Sequence, residues 1–130
     1  MGSTSINFNH SELACPHCHL NNCKGVLVAA LEQFRANAGD VPVLVHSAYR
    51  CPTHNQKIGG AKNSQHVYGL AADISIQGKT AKELEDIANK CVLVKGIGRN
   101  DHQGYLHIDC RSVPAQWCYN EKGQPEAYYA

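Results

Sequence analysis

Ser64–Asp73 reads SQHVYGLAAD, and Tyr105–Asp109 reads YLHID. Each stretch contributes to a strand in which apolar and polar side chains alternate, because successive side chains of a strand point to opposite faces. In Ala71–Ile76, the apolar side chains of one face are Ala72, Ile74 and Ile76. In Tyr105–Arg111, they are Leu106, Ile108 and Cys110. We therefore predict two half-buried strands, each with one face toward a core.

The opposite faces of these two strands carry Asp73 and His107, and His66 lies in the loop before the first strand. If the strands pair, Asp73 and His107 project from the same side of the sheet, within reach of His66. Two imidazoles and one carboxylate suit zinc, and they leave a fourth position for water as in a catalytic site. The alternative from spacing alone is a set of ordinary polar residues on a half-solvated sheet.

One helix is predicted before the first of these strands, and another after it. Before it, apolar residues recur at i, i+3, i+4 and i+7, at Leu27, Ala30, Leu31 and Phe34, and the helix should end near Asn37–Gly39. After it, Thr80 followed by Glu83 forms a capping box, and the helix that it opens carries Leu84, Ile87, Ala88 and Cys91 on one face.

The remaining segments complete a small domain. Val41–Tyr49 and Val92–Ile97 are two further strand candidates, whereas the first 23 residues look irregular. The tail from Pro114 also looks irregular, carries aromatics and should pack across an edge. We therefore predict an α+β fold in which a small antiparallel sheet of about four strands carries the site, with two main helices, in a single domain over residues 1–130.

The composition argues against several classes of function. The chain has 12 basic and 11 acidic residues, a net charge of +1 and no basic stripe, so we expect no nucleic-acid partner. No apolar run approaches the ~20 residues of a membrane span, and Met1–Asn9 has no hydrophobic signal-peptide core. We therefore expect no membrane partner, and a monomer that is cytoplasmic as synthesised.

The two quoted stretches resemble the M15 family, the zinc D-Ala-D-Ala carboxypeptidases and related peptidoglycan endopeptidases. The family pattern Ser-x-His-x-x-Gly-x-Ala-x-Asp, followed later by a His on a strand, is filled by Ser64, His66, Gly69, Ala71, Asp73 and His107. Ser47–Gly60, SAYRCPTHNQKIGG, resembles the family segment ahead of the metal site, and the resemblance runs from about Phe8 to Arg111.

The resemblance implies one catalytic zinc ion held by His66, Asp73 and His107, in an α+β fold with a small antiparallel sheet. It also implies hydrolysis of a peptide bond in peptidoglycan stem peptides, by a carboxypeptidase or an endopeptidase. Many members are phage endolysins, which suits a chain that reaches the cell wall after release from the cytoplasm. A catalytically inactive cell-wall-binding module of hedgehog-like fold, which keeps the zinc, is the alternative.

Further roles follow from the same resemblance. Arg50 would hold a substrate carboxylate or carbonyl, with Ser64 and Gln65 lining the same cleft. His102, five residues before His107, matches the general base of carboxypeptidase-type members. Other members place a carboxylate three residues before the last His, where this chain departs from the pattern with Gly104. Asp101 is the reserve candidate for the general base. The alternative for Asp101 and His102 is a solvated loop tip.

The N-terminal segment carries a separate motif. Cys15–Cys23 reads CPHCHLNNC and could hold a structural zinc ion through its three cysteines and two histidines, although the chain has no second Cys-x-x-Cys. The motif residues are Cys15, Cys18 and Cys23, with His17 and His19. Reduced, partly buried thiols are the alternative, in keeping with the odd count of seven cysteines. A zinc-ribbon interaction protein built on this motif is a third functional hypothesis, which the near-neutral charge disfavours.

Asp109 could orient His107 or be a surface carboxylate.

Overall fold

The computed structural model describes residues 5–60 and 64–128 of the chain. In these residues the helices are α1 (His10–Leu13), α2 (Gly25–Asn37), α3 (Pro52–Lys57) and α4 (Ala81–Ala88). The strands are β1 (Leu44–Ser47), β2 (Ala71–Ser75), β3 (Gly96–Asn100), β4 (Tyr105–Asp109), β5 (Ala115–Tyr119) and β6 (Pro125–Glu126). The predicted mixture of helices and one sheet is confirmed. Within the described part of the chain, no helix combines the length and apolar character that a membrane span requires.

The strands form one sheet in the order β1-β2-β4-β3-β5-β6. Neighbouring strands are antiparallel, except that β3 and β5 are parallel. The central pair joins β2 to β4 and places Asp73 directly opposite His107. Alternation along the two strands therefore does bring these side chains to the same face of the sheet.

The prediction of four antiparallel strands was wrong in extent and in part of the topology. The tail after Pro114 forms β5 and β6 instead of an irregular segment. After β4 the chain crosses β3 and pairs with its outer edge, where unpaired N–H and C=O groups need partners. The strand predicted at Val92–Ile97 begins later, at Gly96, because residues 92 and 93 lie in a turn after α4.

The two long helices share a hydrophobic core with one face of the sheet. The predicted face of α2 is buried, and the capping box of α4 is formed, with Thr80 Oγ1 accepting from the Glu83 N–H at 3.2 Å. Sheet residues of this core are Ala72, Ile74, Ile97, Leu106 and Ile108. Because the apolar side chains of the central strands face the helices, the polar side chains between them lie on the opposite face.

A buried ion pair joins α4 to the sheet on the helix side. Glu85 and Arg99 are 0% and 2% exposed, and Arg99 Nη1 donates to Glu85 Oε1 at 3.2 Å. Glu85 Oε2 also accepts from Gln116 of β5, at 2.9 Å. Burial alone would raise the pKa of Glu85, but hydrogen bonds from Lys82 and Gln116 and the charge of Arg99 hold it below its usual value. The ionised carboxylate therefore fastens α4 to β3 and β5.

Replacing Glu85 by Ala should reduce the free energy of unfolding by about 3 kcal/mol, because it leaves the Arg99 guanidinium buried with fewer partners.

Since folding lowers the pKa of Glu85, its stabilisation is present at neutral pH. It is lost as the pH falls below about 4, the ordinary range of Glu. Denaturant unfolding of both proteins across pH measures the difference. Asp86→Ala, on the exposed side of the same helix, should change stability by less than about 1 kcal/mol. Equal effects of the two substitutions would contradict this role of Glu85.

Candidate metal centre

His66, Asp73 and His107 converge on the face of the sheet opposite the helices. One ligand atom from each lies within 4.8 Å of the other two. His66 Nε2 is 3.3 Å and His107 Nδ1 is 3.0 Å from the same oxygen, Asp73 Oδ1. All three residues are at most 9% exposed. The structure therefore brings together the three side chains that the sequence singled out.

In each imidazole, the inner nitrogen faces Asp73, and the outer nitrogen on the other side of the ring is hydrogen-bonded. His66 Nδ1 lies 2.7 Å from the carbonyl oxygen of Ala48, which can only accept, so Nδ1 carries the hydrogen. His107 Nε2 lies 2.8 Å from Asp109 Oδ2. In the neutral tautomers fixed by these contacts, lone pairs on both inner nitrogens face the Asp73 carboxylate.

Three electron-rich atoms at such short range repel one another unless a proton or a metal cation lies between them. The donor set of two imidazole nitrogens and one carboxylate oxygen fits zinc. It would bind through His66 Nε2, His107 Nδ1 and Asp73 Oδ1. The contact between Asp109 and His107 corresponds to the orienting role considered for this carboxylate from the sequence.

The protonation of the metal-free residues agrees with a cation site. Burial lowers the pKa of His66, which is therefore neutral at pH 7. Burial would raise the pKa of Asp73, but the adjacent His66 and His107 imidazoles hold it far below its usual range. Burial would also lower the pKa of His107, yet hydrogen bonds to Asp109 and Asp73 raise it to about 8. Without a metal, a proton on His107 thus supplies the positive charge that this cluster needs.

Arg50 lies beside the metal ligands and is held by its own contacts. Its Nη2 is 3.4 Å from Asp73 Oδ2, the oxygen that does not face the imidazoles. Its Nε donates to Ser47 Oγ at 3.1 Å, and its Nη1 donates to Asn55 Oδ1 at 3.2 Å. Asn55, on α3, is 4% exposed. Arg50 therefore has a fixed position at the edge of the centre, and it restricts Asp73 to presenting one oxygen to a metal.

The turn that presents His66 explains the glycine of the sequence motif. Gly69 has a φ of +72°, and its N–H donates to the carbonyl oxygen of His66 at 3.2 Å. A Cβ at this position would lie 2.0 Å from the carbonyl oxygen of Asn22. A side chain is thus disfavoured by the backbone conformation and by the N-terminal segment that packs on the turn.

A cleft of about 530 Å³ opens over the centre, within the size range of small-molecule sites. Its lining includes Arg50, Ser64, Gln65 and the three candidate ligands, together with Tyr105, Arg111, Trp117 and Tyr119. The ring of Trp117 lies 5.3 Å from that of His107, centroid to centroid. Gly98 of β3 makes room for it, because a Cβ there would lie 2.6 Å from the indole nitrogen. The aromatic side of the cleft therefore depends on the close approach of the Trp117 ring, on β5, to Gly98 on β3.

The sequence indicated that the aromatic tail from Pro114 packs across an edge, but not that it forms a strand and lines this side of the cleft. Trp117 and Tyr119 lie two residues apart on β5, so the period of a strand was present in the segment AQWCY. The signal is short, and its partner strand, β3, is 15 or more residues away in the chain.

Two predicted catalytic residues lie elsewhere. Asp101 and His102 are exposed in the turn between β3 and β4, and neither lines the cleft. Asp101 is paired with Arg99, whose Nε lies 3.1 Å from its carboxylate. Among the described lining residues, the three candidate ligands are the only carboxylate and imidazole groups. The assignment of the general base to His102, or to Asp101, stays a prediction.

Comparison with known proteins gives two matches. A family model described as Peptidase M15 matches residues 6–109. The zinc D-Ala-D-Ala carboxypeptidase of Streptomyces albus G is 29% identical over 119 residues, which cover 81% of this chain and 46% of that protein. The chain thus spans about half the length of this curated relative.

Replacing Asp109 by Asn should weaken zinc binding about 10- to 100-fold, because the neutral amide makes His107 a less basic ligand and its NH2 group can donate to Nε2, which favours the other tautomer. Zinc titration against a competing chelator, followed through the imidazole NMR signals of His66 and His107, gives the affinity of this site alone. Asp40→Asn, an exposed carboxylate with a side chain 75% accessible, is the matched control and should leave the affinity unchanged. Unaltered zinc affinity in Asp109→Asn would show that Asp109 does not orient His107.

Proposed function

This chain belongs to the M15 family of zinc-dependent peptidases, and on that premise we propose that it hydrolyses a peptide bond in the stem peptides of bacterial peptidoglycan. The observation that carries the proposal is the convergence of His66 Nε2, His107 Nδ1 and Asp73 Oδ1 at the base of a cleft beside Arg50. The name of the Streptomyces relative, a D-Ala-D-Ala carboxypeptidase, supports the substrate class.

Zinc bound by His66, Asp73 and His107 would act as a Lewis acid toward the scissile carbonyl and would lower the pKa of a water molecule. The chain's own residues then have to hold this donor set rigid. Ala48 and Asp109 fix the two rings through their outer nitrogens, and Arg50 fixes the free oxygen of Asp73. Such preorganisation avoids the cost of rearranging the ligands during the reaction.

Arg50 has the donors needed to bind the substrate. A guanidinium has five N–H donors, and the contacts with Ser47, Asn55 and Asp73 account for three of them. Those that remain would bind the terminal carboxylate of a stem peptide, or a carbonyl next to the scissile bond. A carboxylate at this position favours the carboxypeptidase form of the activity, whereas a carbonyl would suit an endopeptidase.

The aromatic side of the cleft would hold the remainder of the peptide. Tyr105, Trp117 and Tyr119 lie next to one another, with ring centroids 6.1 and 6.2 Å apart. Rigid rings with polar tips bury apolar surface while keeping hydrogen-bonding groups available. We assign to them the exclusion of water from the scissile bond, and to Ser64 and Gln65 polar contacts with the peptide.

The proton of the attacking water requires an acceptor, and His102 is the proposed general base. Its position five residues before His107 supports the assignment. Its turn leads directly into Tyr105, which lines the cleft. Movement of this turn toward the cleft on substrate binding would bring the imidazole to the reaction, since catalytic contacts are often completed only in the substrate complex. Asp101 is the second candidate in the same turn.

A zinc-containing binding module is the second candidate function. It is favoured by the lack of a carboxylate or imidazole, other than the metal ligands, among the described lining residues of the cleft. Such a module would recognise the stem peptide through Arg50 and the aromatic rings without cleaving it.

Digestion of purified peptidoglycan, followed by mass spectrometry, should reveal cleavage of the stem peptide that stops when a zinc chelator is added and resumes with zinc. Release of free D-Ala would identify a carboxypeptidase, and new amino termini within the stem peptide or cross-bridge would identify an endopeptidase. A zinc-loaded protein that binds peptidoglycan of several chemotypes and leaves them all intact would overturn the peptidase proposal in favour of the binding module.

Replacing His102 by Ala should lower kcat by about 100-fold or more, with zinc content and KM little changed, because a general base acts on the chemical step. Steady-state kinetics on a stem-peptide substrate measure the effect. His46→Ala, also an exposed histidine, on β1, should retain wild-type kcat. If His102→Ala does so too, the base is another group, and Asp101→Asn becomes the next variant.

A further inference from the structure

We propose that Cys15, Cys18 and Cys51 bind a second zinc ion, with His17 as the fourth ligand, and that this ion is structural. The three sulfur atoms lie within 4.8 Å of one another. The sequence had grouped Cys23 with Cys15 and Cys18, but Cys23 Sγ faces the carbonyl oxygen of Leu13, and Cys51 completes the cluster instead. Cys51 is 36 residues from Cys15 in the chain, so spacing alone does not indicate it.

Backbone N–H groups donate to all three sulfurs, and Cys18 Sγ accepts from the N–H of Leu20. Cys15 Sγ accepts from the N–H of Cys51 at 3.4 Å and from the N–H groups of His17 and Cys18. Cys51 Sγ accepts from the N–H of His54 at 3.4 Å. Hydrogen bonds from N–H groups stabilise thiolates, the form in which cysteine binds metals. The surroundings of the cluster therefore suit three thiolates that share a cation.

The Cys15–Cys18 segment forms a turn closed by its own backbone. The N–H of Cys15 donates to the carbonyl oxygen of Leu20 at 2.8 Å, and the N–H of His19 donates to that of Cys15 at 2.8 Å. This turn points both of its sulfurs toward Cys51, which is the N-terminal cap of α3. The missing second pair of ligands is thus supplied by a residue distant in sequence and by a neighbouring imidazole.

The fourth ligand is taken from the two histidines beside the cluster. His17 Nδ1 lies 3.5 Å from Cys51 Sγ, and the ring of His54 stacks on that of His17 with centroids 6.2 Å apart. Three thiolates and one imidazole form a closed tetrahedral set typical of structural zinc, with no position left for substrate or water. The stacked His54 would orient the His17 ring.

An ion at this site would act on the catalytic cleft indirectly. Cys51 directly follows Arg50, and α3, which begins at Pro52, carries the Asn55 that holds the Arg50 guanidinium. Fixing Cys51 to the N-terminal segment would therefore restrain both residues. This consequence rests on the proposed function, whereas metal binding by the cysteines does not.

The test is metal content together with cobalt substitution of the full chain. Wild-type protein should contain two zinc ions, and its Co²⁺ form should show the intense near-ultraviolet band of thiolate-to-cobalt charge transfer. The catalytic centre contains no thiol, so this band reports on the cysteine site alone. The double variant His66→Ala, His107→Ala should keep the band and lose one ion.

Cys51→Ser should lose the band and one ion. Cys110→Ser, a matched half-buried cysteine outside the cluster, should keep both. His17→Ala should weaken metal binding at this site, whereas His54→Ala should retain the band. The reverse result for the two histidines would overturn the assignment of His17.

A Co²⁺-loaded wild-type chain without the charge-transfer band would overturn the second site, even if Cys51→Ser fails to fold. A disulfide within the cluster in protein purified under reducing conditions would do the same. A band in protein that does not cleave peptidoglycan contradicts the proposed function and leaves this site intact. Cleavage without a band contradicts only this site.

Discussion

The register between β2 and β4 is the constraint on which the rest of the molecule depends. It sets Asp73 opposite His107, and it is fixed because Ala72, Ile74, Leu106 and Ile108 on the other face pack into the helix-covered core. A slip of either strand by one residue would turn its polar side chain, Asp73 or His107, into that core and expose the apolar side chains of the same strand. Burying such groups without partners costs several kcal/mol, so the hydrophobic core enforces the geometry of the metal centre.

Contacts outside the three ligands give the centre its shape. Each candidate ligand is held by one further contact: His66 by Ala48, His107 by Asp109 and Asp73 by Arg50. These contacts keep the side chains from rotating or binding elsewhere. Arg50 is followed directly by Cys51, which caps the N-terminus of α3. The candidate metal centre and the cysteine cluster therefore share one short segment of chain. A perturbation at the N-terminus can thus reach the cleft through covalent neighbours, without a long path through the core.

Local patterns in the sequence were enough to predict the central strands and both long helices, and to place Asp73 and His107 on one face. The assignment of His66, Asp73 and His107 as metal ligands also needed the resemblance to the M15 family. These features depend on alternation, on a capping box and on one glycine whose φ of +72° excludes most side chains. The rest depends on contacts between distant segments. The parallel pairing of β5 with β3, and the approach of Cys51 to Cys15 across 36 residues, leave no periodic signal near either partner. His102 shows the converse, because its spacing fits a motif although its exposed turn lies outside the cleft lining.

The two sides of the cleft come from different parts of the chain, because β5 pairs with the outer edge of β3. All three candidate metal ligands precede residue 108, whereas Trp117 and Tyr119 come from a later strand that adds to the sheet edge. Under the proposed function, substitutions or length changes in this late strand would change the contacts with the peptide and leave the three candidate ligands in place. In terms of the proposed function, exchanging β5 in this chain would therefore separate the choice of peptide from the chemistry at the candidate metal centre.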